Sequence, residues 1–68
     1  MFYATVRYVD EQVTFNQFDS VEVNDLYRFE TKKERDQFVA DNDCADVILS
    51  ADARVEYKEQ FNFWRKNN

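Results

Sequence analysis

Acidic side chains concentrate in the segment DNDCADVILSAD, residues 41–52, which contains no Lys or Arg. Counted from Asp41, carboxylates stand at the first, third and twelfth positions, as they do in a calcium-binding loop. Other positions do not fit, because the fifth is Ala45, which has no side-chain oxygen, and the sixth is Asp46, where the sharp turn requires Gly. The twelfth is Asp52 rather than the longer Glu. The pattern therefore favours a solvated acidic turn over a calcium site.

Catalytic chemistry has little support in the residue types present. The chain contains no His, so general acid–base catalysis would depend on carboxylates, Tyr or Lys. Cys44 is surrounded in sequence by Asp41, Asp43 and Asp46, whose negative charge favours the unreactive thiol. The chain has no Gly, which removes glycine-rich phosphate loops and glycine-flanked nucleophiles. We therefore expect a protein that is not an enzyme and that uses no cofactor and no metal.

The length and composition predict one small domain spanning residues 1–68. A chain this short buries only about 60% of its unfolded surface, and the seven Phe, four Tyr and one Trp are the main material for its core. Cys44 has no second Cys with which to pair. No apolar run approaches the length of a membrane span, and the first ten residues lack the features of a signal peptide. We expect a cytoplasmic protein that does not bind membranes.

The charge predicts the class of partner. A formal charge of −5 disfavours nucleic acid and anionic membrane surfaces and favours a basic protein or nucleoprotein. Residues 10–27 and 36–53 are rich in Asp and Glu and contain no Lys or Arg. We predict that these stretches form a partner-binding surface made of Asp41, Asp43 and Asp46, with a second patch made of Glu22 and Asp25. The alternative is a surface that only keeps the protein soluble.

The first half of the chain is predicted to form the strands that position the acidic residues. The segment FYATVRYV alternates with a period of two, and VTFNQF, with Val13 and Phe15, repeats the pattern. Because Asn and Asp are the residues left to form turns in a chain without Gly and Pro, we expect turns at Asp10–Glu11, Asn24–Asp25 and Asn42–Asp43. The segments VEV and LYRFE add one or two extended pieces, which predicts an antiparallel sheet of about three strands.

Two helical regions follow. Thr31 and Glu34 have the spacing of a capping box, so a helix is predicted near residues 31–42, ending at Asn42 in the left-handed conformation. A second helix is predicted near residues 51–66, capped by Ser50, with one apolar stripe consisting of Ala53, Tyr57, Phe61 and Trp64. A strand is the alternative there, because Val55, Tyr57, Phe61 and Phe63 also alternate. The predicted fold class is α+β.

Phe63 is a candidate apolar anchor for a partner. In the helical interpretation it lies off the stripe formed by Tyr57, Phe61 and Trp64, and it stands close to Arg65. Aromatic residues beside Arg are typical of protein interfaces. The alternative is that these aromatic residues only complete a small core.

The tract RFETKKERDQFV, residues 28–39, contains the pattern F-x-T-x-x-E-R-D. It resembles the short strand and capped helix of small orphan proteins from phages and prophages. The small size, the acidity and the lack of catalytic residue types also resemble anti-CRISPR and related anti-defence proteins. This resemblance implies an inhibitor that occupies a nucleic-acid-binding groove on a larger effector in the host cytoplasm. It assigns no functional residue to a position in this chain.

The sequence therefore predicts a binding protein, monomeric or homodimeric, that presents acidic side chains to a basic surface. The alternative is a structural or assembly protein that associates with itself through a sheet edge or through the aromatic C-terminal segment. Direct binding of nucleic acid by Lys32, Lys33 and Arg35 is disfavoured by the overall negative charge.

Overall fold

The sheet is dominated by one long hairpin. The computed structural model describes residues 1–14 and 17–67. Strands β1 (Phe2–Thr14) and β2 (Gln17–Phe29) pair antiparallel over their whole described length, from Phe2 opposite Phe29 to Thr14 opposite Gln17. Strand β3 (Ala45–Ile48) pairs antiparallel with residues 3–6 of β1, so the strand order is β2-β1-β3. The fold is α+β, as predicted.

Two of the predicted turns are wrong. Asp10 lies opposite Val21 and Asp25 lies opposite Val6, so both acidic residues are inside continuous strands. The preference of Asp and Asn for turns is a local one, and a single register shared by two long strands outweighs it. The strand position predicted for Phe15 lies outside the described residues. The predicted turn at Asn42–Asp43 is confirmed. The short segment after it, Ala45–Ile48, was not predicted as a strand and is the third strand of the sheet.

Helix α1 (Lys32–Asp41) begins as predicted and ends differently. The Thr31 Oγ1 atom accepts a hydrogen bond from the Glu34 backbone N–H at 3.2 Å, which confirms the N-terminal cap. Asn42 has φ −129° and ψ 112°, so it is extended rather than left-handed. Its side-chain amide donates to the Phe38 carbonyl at 2.8 Å. The side chain thus satisfies a terminal carbonyl without the predicted backbone reversal.

The C-terminal segment is helical, in two pieces. Helices α2 (Ser50–Glu56) and α3 (Lys58–Lys66) are separated at Tyr57, which has φ −121° and ψ 42°. The prediction that Ser50 caps this region is wrong, because Ser50 is the first helical residue and Leu49 precedes it with no side-chain cap. The predicted helix near residues 51–66 is therefore present, with an interruption in its middle.

Helices cover both faces of the sheet. On one face, Phe38 of α1 packs between Tyr27 and Phe29, with ring centroids 5.0 and 5.2 Å away. On the other face, the predicted stripe of α2 and α3 packs on Tyr3 and Leu26. We call these the α1 face and the α2–α3 face. Residues of β1 and their β2 partners alternate between them, because successive strand side chains point to opposite sides.

The core is small, and arginine side chains cover its aromatic margins. The buried apolar residues are Tyr3, Ala4, Leu26, Ala45 and Ala53. The guanidinium of Arg28 lies 4.4 Å from the Trp64 ring centroid, and that of Arg35 lies 5.4 Å from the Phe2 centroid. Such contacts combine cation–π attraction with burial of the aliphatic stem. They extend a core that the chain length alone would leave thin.

The molecule is elongated. Its extents are 44 × 29 × 19 Å, and its radius of gyration is 14.5 Å. A compact domain of this length has a radius of gyration of about 11 Å. The long axis matches the hairpin, since thirteen residues in a strand span about 43 Å. Within the described residues, no helix is sufficiently long and apolar to span a bilayer.

Candidate binding surface: an acidic two-stranded ribbon

The long hairpin extends beyond the rest of the sheet. Strand β3 reaches only as far as Val6, and the Arg7 N–H donates to the Cys44 carbonyl at 3.2 Å, at the turn that precedes β3. Beyond this point β1 and β2 continue together for seven residue pairs, through Thr14 opposite Gln17. We call residues 8–14 and 17–23 the ribbon. At about 3.4 Å per pair, it projects roughly 20 Å from the three-stranded part.

Carboxylates occur at regular intervals along the ribbon. Four successive residue pairs carry one each, on Glu22, Asp10, Glu11 and Asp19 in order from the root outward. All four residues are exposed, and residues 8–23 contain no Lys or Arg. Glu22 and Glu11 point to the α2–α3 face, and Asp10 and Asp19 point to the α1 face. Counted over both faces, the spacing is therefore about one negative charge per 3.4 Å of ribbon, and on either face alone it is about 6.8 Å. A single strand in duplex DNA has one phosphate per 3.4 Å of helix axis. The ribbon thus approaches the linear charge density of one nucleic-acid strand.

The two faces of the ribbon differ in polarity. The α1 face continues onto the ribbon with Tyr8, Val23, Val21 and Asp10. Tyr8 and Val21 are 44% and 45% exposed. The opposite face carries Val9 beside Glu22, followed by Glu11 opposite Ser20. Over the pairs from Tyr8–Val23 to Glu11–Ser20, the α1 face is therefore the more apolar of the two.

A polar cluster fixes the ribbon root to the C-terminal helices. Arg7 Nη2 lies 3.0 Å from Glu56 Oε2, and Arg7 Nε donates to Tyr57 Oη at 3.3 Å. The Tyr57 hydroxyl donates in turn to Asn24 Oδ1. The hydrogen bond to Tyr57 is the main cause that raises the pKa of Arg7, and Glu56 acts in the same direction. Arg7, which directly precedes the ribbon, is thus paired with Glu56. The four carboxylates of the ribbon are exposed to solvent.

The residues of the predicted second patch do not lie together. Glu22 is opposite Val9, on the α2–α3 side of the ribbon. Asp25 is opposite Val6, which belongs to the α1 face. The two carboxylates are three residues apart in one strand and therefore point to opposite sides.

The predicted patch of Asp41, Asp43 and Asp46 is also divided. Asp41 ends α1 and accepts hydrogen bonds from Gln37 at 3.0 and 3.1 Å. Asp43 lies in the turn beside the ribbon root, whereas Asp46 is in β3 opposite Thr5 and points to the α2–α3 face. Asp43 can therefore extend the acidic surface at the ribbon root, whereas Asp41 lies at the end of α1 and Asp46 is on another side. Among residues 1–14 and 17–67, no three His, Cys, Asp or Glu side chains form a metal-binding group.

Phe63 lies on α3 and is 60% exposed. Its neighbours Phe61 and Trp64 pack on Tyr3, with ring centroids 5.4 and 6.5 Å from that residue. Phe63 is thus available to a partner, on the body of the molecule and apart from the ribbon. Its role as an anchor stays a prediction.

Sequence reasoning included Asp10, Glu11 and Asp19 in the acidic stretch of residues 10–27 but did not assign them to the predicted patch. The local pattern offered little signal, because the three consecutive polar residues Asp10, Glu11 and Gln12 interrupt the alternation of β1. Comparison of the chain with protein-family models, curated proteins and solved structures gives no significant match. The functional proposal below therefore depends on the geometry of this surface.

Proposed function

We propose that the protein is a non-enzymatic, phage-type inhibitor whose acidic ribbon occupies a basic, nucleic-acid-binding surface of a larger protein. The observation that carries the proposal is the row of four exposed carboxylates, one per residue pair, on a projecting ribbon. The anti-defence role comes from the resemblance in type to phage proteins. The proposal assigns binding to the ribbon because its spacing of negative charge along the axis is close to that of one nucleic-acid strand.

The shape of the ribbon suits a groove. Two strands about 4.8 Å apart make a narrow element that reaches roughly 20 Å from the body, so its carboxylates can approach a basic cleft from both faces. Exposed charges of this kind accelerate association and make it dependent on salt. A competitor of nucleic acid is expected to bind best at low ionic strength, as nucleic acid itself does.

The proposal is tested by replacing the four carboxylates of the ribbon with neutral amides and comparing this variant with a matched control. The ribbon variant carries Asp10→Asn, Glu11→Gln, Asp19→Asn and Glu22→Gln. The control variant neutralises an equal number of acidic residues outside the ribbon, namely Glu30→Gln, Glu34→Gln, Asp52→Asn and Glu59→Gln. Both variants have the same net charge. Immobilised wild-type protein is expected to capture nucleic-acid-binding proteins from a host lysate, and a single-stranded oligonucleotide is expected to release them.

The ribbon variant should lose this capture and the control should keep it. Exposed ion pairs contribute about 0.2–1 kcal/mol each, so four of them correspond to roughly 1–4 kcal/mol, or at least a several-fold loss of affinity. Equal losses in both variants would show that net charge acts without regard to position. Unchanged capture by the ribbon variant would refute the proposal.

A second candidate function is self-association through the sheet edge. Strand β2 forms an outer edge of the sheet along its whole described length, and unpaired edges bind other strands unless they are guarded. The alternative route through the aromatic C-terminal segment is less favoured, because Phe61 and Trp64 pack on Tyr3 within the same chain. Light scattering over a range of concentrations separates the two functions. A monomer at all concentrations favours the inhibitor, and a stable dimer favours assembly.

A further inference from the structure

An apolar strip on the ribbon is partly exposed, since Tyr8 and Val21 are exposed and Val23 is half-buried. It consists of Tyr8, Val21 and Val23 on the α1 face, with Tyr8 directly opposite Val23. Helix α1 contacts this face of the sheet at Phe2, Tyr27 and Phe29, through Phe38 and Arg35. The strip itself extends over about 7 Å, from the Tyr8 pair to the Asp10 pair. With the adjoining Val6 pair included, this part of the face is about 14 Å long, which corresponds to roughly nine residues of a helix.

The way α1 binds the same face indicates what the strip can accept. Phe38 inserts its ring between two aromatic rings of β2, and Arg35 places its guanidinium over Phe2. Arg35 is only 8% exposed, and its Nε lies 2.9 Å from Asp36 Oδ1. This face therefore binds a helix that combines an apolar side chain with an arginine. Tyr8 offers the same kind of ring on the same face, four residue pairs beyond the Ala4–Tyr27 pair.

The charges around the strip select among possible occupants. Asp10 and Asp25 lie on the same face as the strip, and Asp43 lies in the turn beside the ribbon root. A second copy placed symmetrically on this face would bring like charges together, which is unfavourable. Nucleic acid would meet the same repulsion. A helix with Lys and Arg on either side of an apolar stripe complements both the strip and its margins.

We infer that the α1 face of the ribbon binds one amphipathic basic helix of the partner protein. This inference rests on the proposed function and names the element of the basic partner that the ribbon recognises. Apolar side chains of that helix pack on Tyr8, Val21 and Val23, and its cationic side chains pair with Asp10 and Asp25. The helix continues the layer that α1 begins.

The test is a titration of the isotope-labelled full chain, followed by NMR. The probe is a synthetic peptide of about 14 residues in which Leu recurs at helical spacing and Lys and Arg flank the stripe. A second peptide has the same composition in an order that destroys the stripe. The first peptide is expected to shift the amide signals of Tyr8, Asp10, Val21 and Val23 and to gain helical circular dichroism. The second should bind about tenfold more weakly.

Variants localise the contact. A Tyr8→Ser, Val21→Thr double variant is expected to bind the first peptide about tenfold more weakly, because it removes apolar contact area and keeps every carboxylate. The matched variant Val9→Thr, on the opposite face, should bind it as the wild type does. The amide spectrum of each variant verifies that it is folded.

Several results would overturn the inference. One is equal binding of the two peptides with shifts spread over both faces, which would leave the acidic ribbon as a site without a preferred face. Absence of binding is another. Concentration-dependent shifts of Tyr8 and Val21 without peptide would identify a second copy as the occupant, and shifts caused by a single-stranded oligonucleotide would identify nucleic acid. The proposed function is judged separately by the capture experiment, whose variants leave Tyr8 and Val21 intact.

Discussion

Replacing Trp64 by Ala should remove a large part of the stability of the fold. Trp64 is one of two aromatic residues by which α3 packs on Tyr3, and its ring meets Phe61 edge-on at 5.3 Å and stacks on Tyr3 at 6.5 Å. The Arg28 guanidinium covers it at 4.4 Å. These contacts attach α3 to the sheet, where the buried core offers few other large side chains.

The expected loss is about 3 kcal/mol. A fully buried Trp replaced by Ala costs roughly 3–5 kcal/mol, and the partial burial of Trp64 reduces this to about 2–3 kcal/mol. Loss of the cation–π contact with Arg28 adds about 0.5–1 kcal/mol. A domain of 68 residues has a total stability of roughly 3–10 kcal/mol, so the variant should be only marginally folded.

Urea unfolding followed by far-ultraviolet circular dichroism measures this loss, because the variant lacks the single Trp that fluorescence would report. The Tm should fall by about 12–24 °C. The matched control is Phe63→Ala in the same helix, which removes an exposed ring and should cost less than about 0.5 kcal/mol. Equal losses in the two variants, or a loss below about 1 kcal/mol for Trp64→Ala, would refute the assigned packing of α3.

Three further predictions concern the cap, the ribbon root and the ribbon itself. Thr31→Ala should destabilise the protein by about 1 kcal/mol in urea unfolding, because it removes the side chain that accepts from the Glu34 N–H, whereas Thr31→Ser should restore the loss. The difference in Tm between wild type and Arg7→Gln should stay constant from about pH 6 to about pH 9. The fold raises the pKa of Arg7, so its contribution is complete below the unfolded value and is lost only as the pH rises through the still higher folded value, far above this range. Amide hydrogens of β1 that pair with β2 should exchange faster in residues 8–11 than in residues 3–6, as measured by NMR, because β3 pairs with residues 3–6 and not with residues 8–11. A Thr31→Ser variant as unstable as Thr31→Ala, a Tm difference that varies within that pH range, or uniform protection along β1 would contradict the corresponding prediction.

Features determined by neighbouring residues were predictable. Thr31 caps α1 because a hydroxyl three residues before an amide is a local arrangement. The stripe of Tyr57, Phe61 and Trp64 packs on the sheet because helical spacing brings these side chains to one side. The strand from Phe2 was recognised from its alternation, although its end was placed too early, because the local turn preference of Asp10 was overestimated.

Features that depend on distant pairing were not predictable. The third strand is only four residues long, and it is a strand because Ala45–Ile48 meets the free edge of β1. Glu22 and Asp25 appeared as one patch because they are close in sequence, and the period of the strand separates them onto two faces. Asp10, Glu11, Asp19 and Glu22 form a row only because the register of the hairpin interleaves two strands.

The sequence by itself determined the negative charge, the lack of His and Gly and the periods of its strands and helices. These properties belong to single residues or to neighbours, so no tertiary contact is needed to read them. Only the tertiary structure decided that the pairing of β3 with β1 ends at Val6 and that β1 and β2 continue beyond it as a two-stranded hairpin. The physical reason is that strand register and sheet edges arise from hydrogen bonds between residues far apart in the chain, and these bonds convert scattered acids into a regular, projecting line of charge.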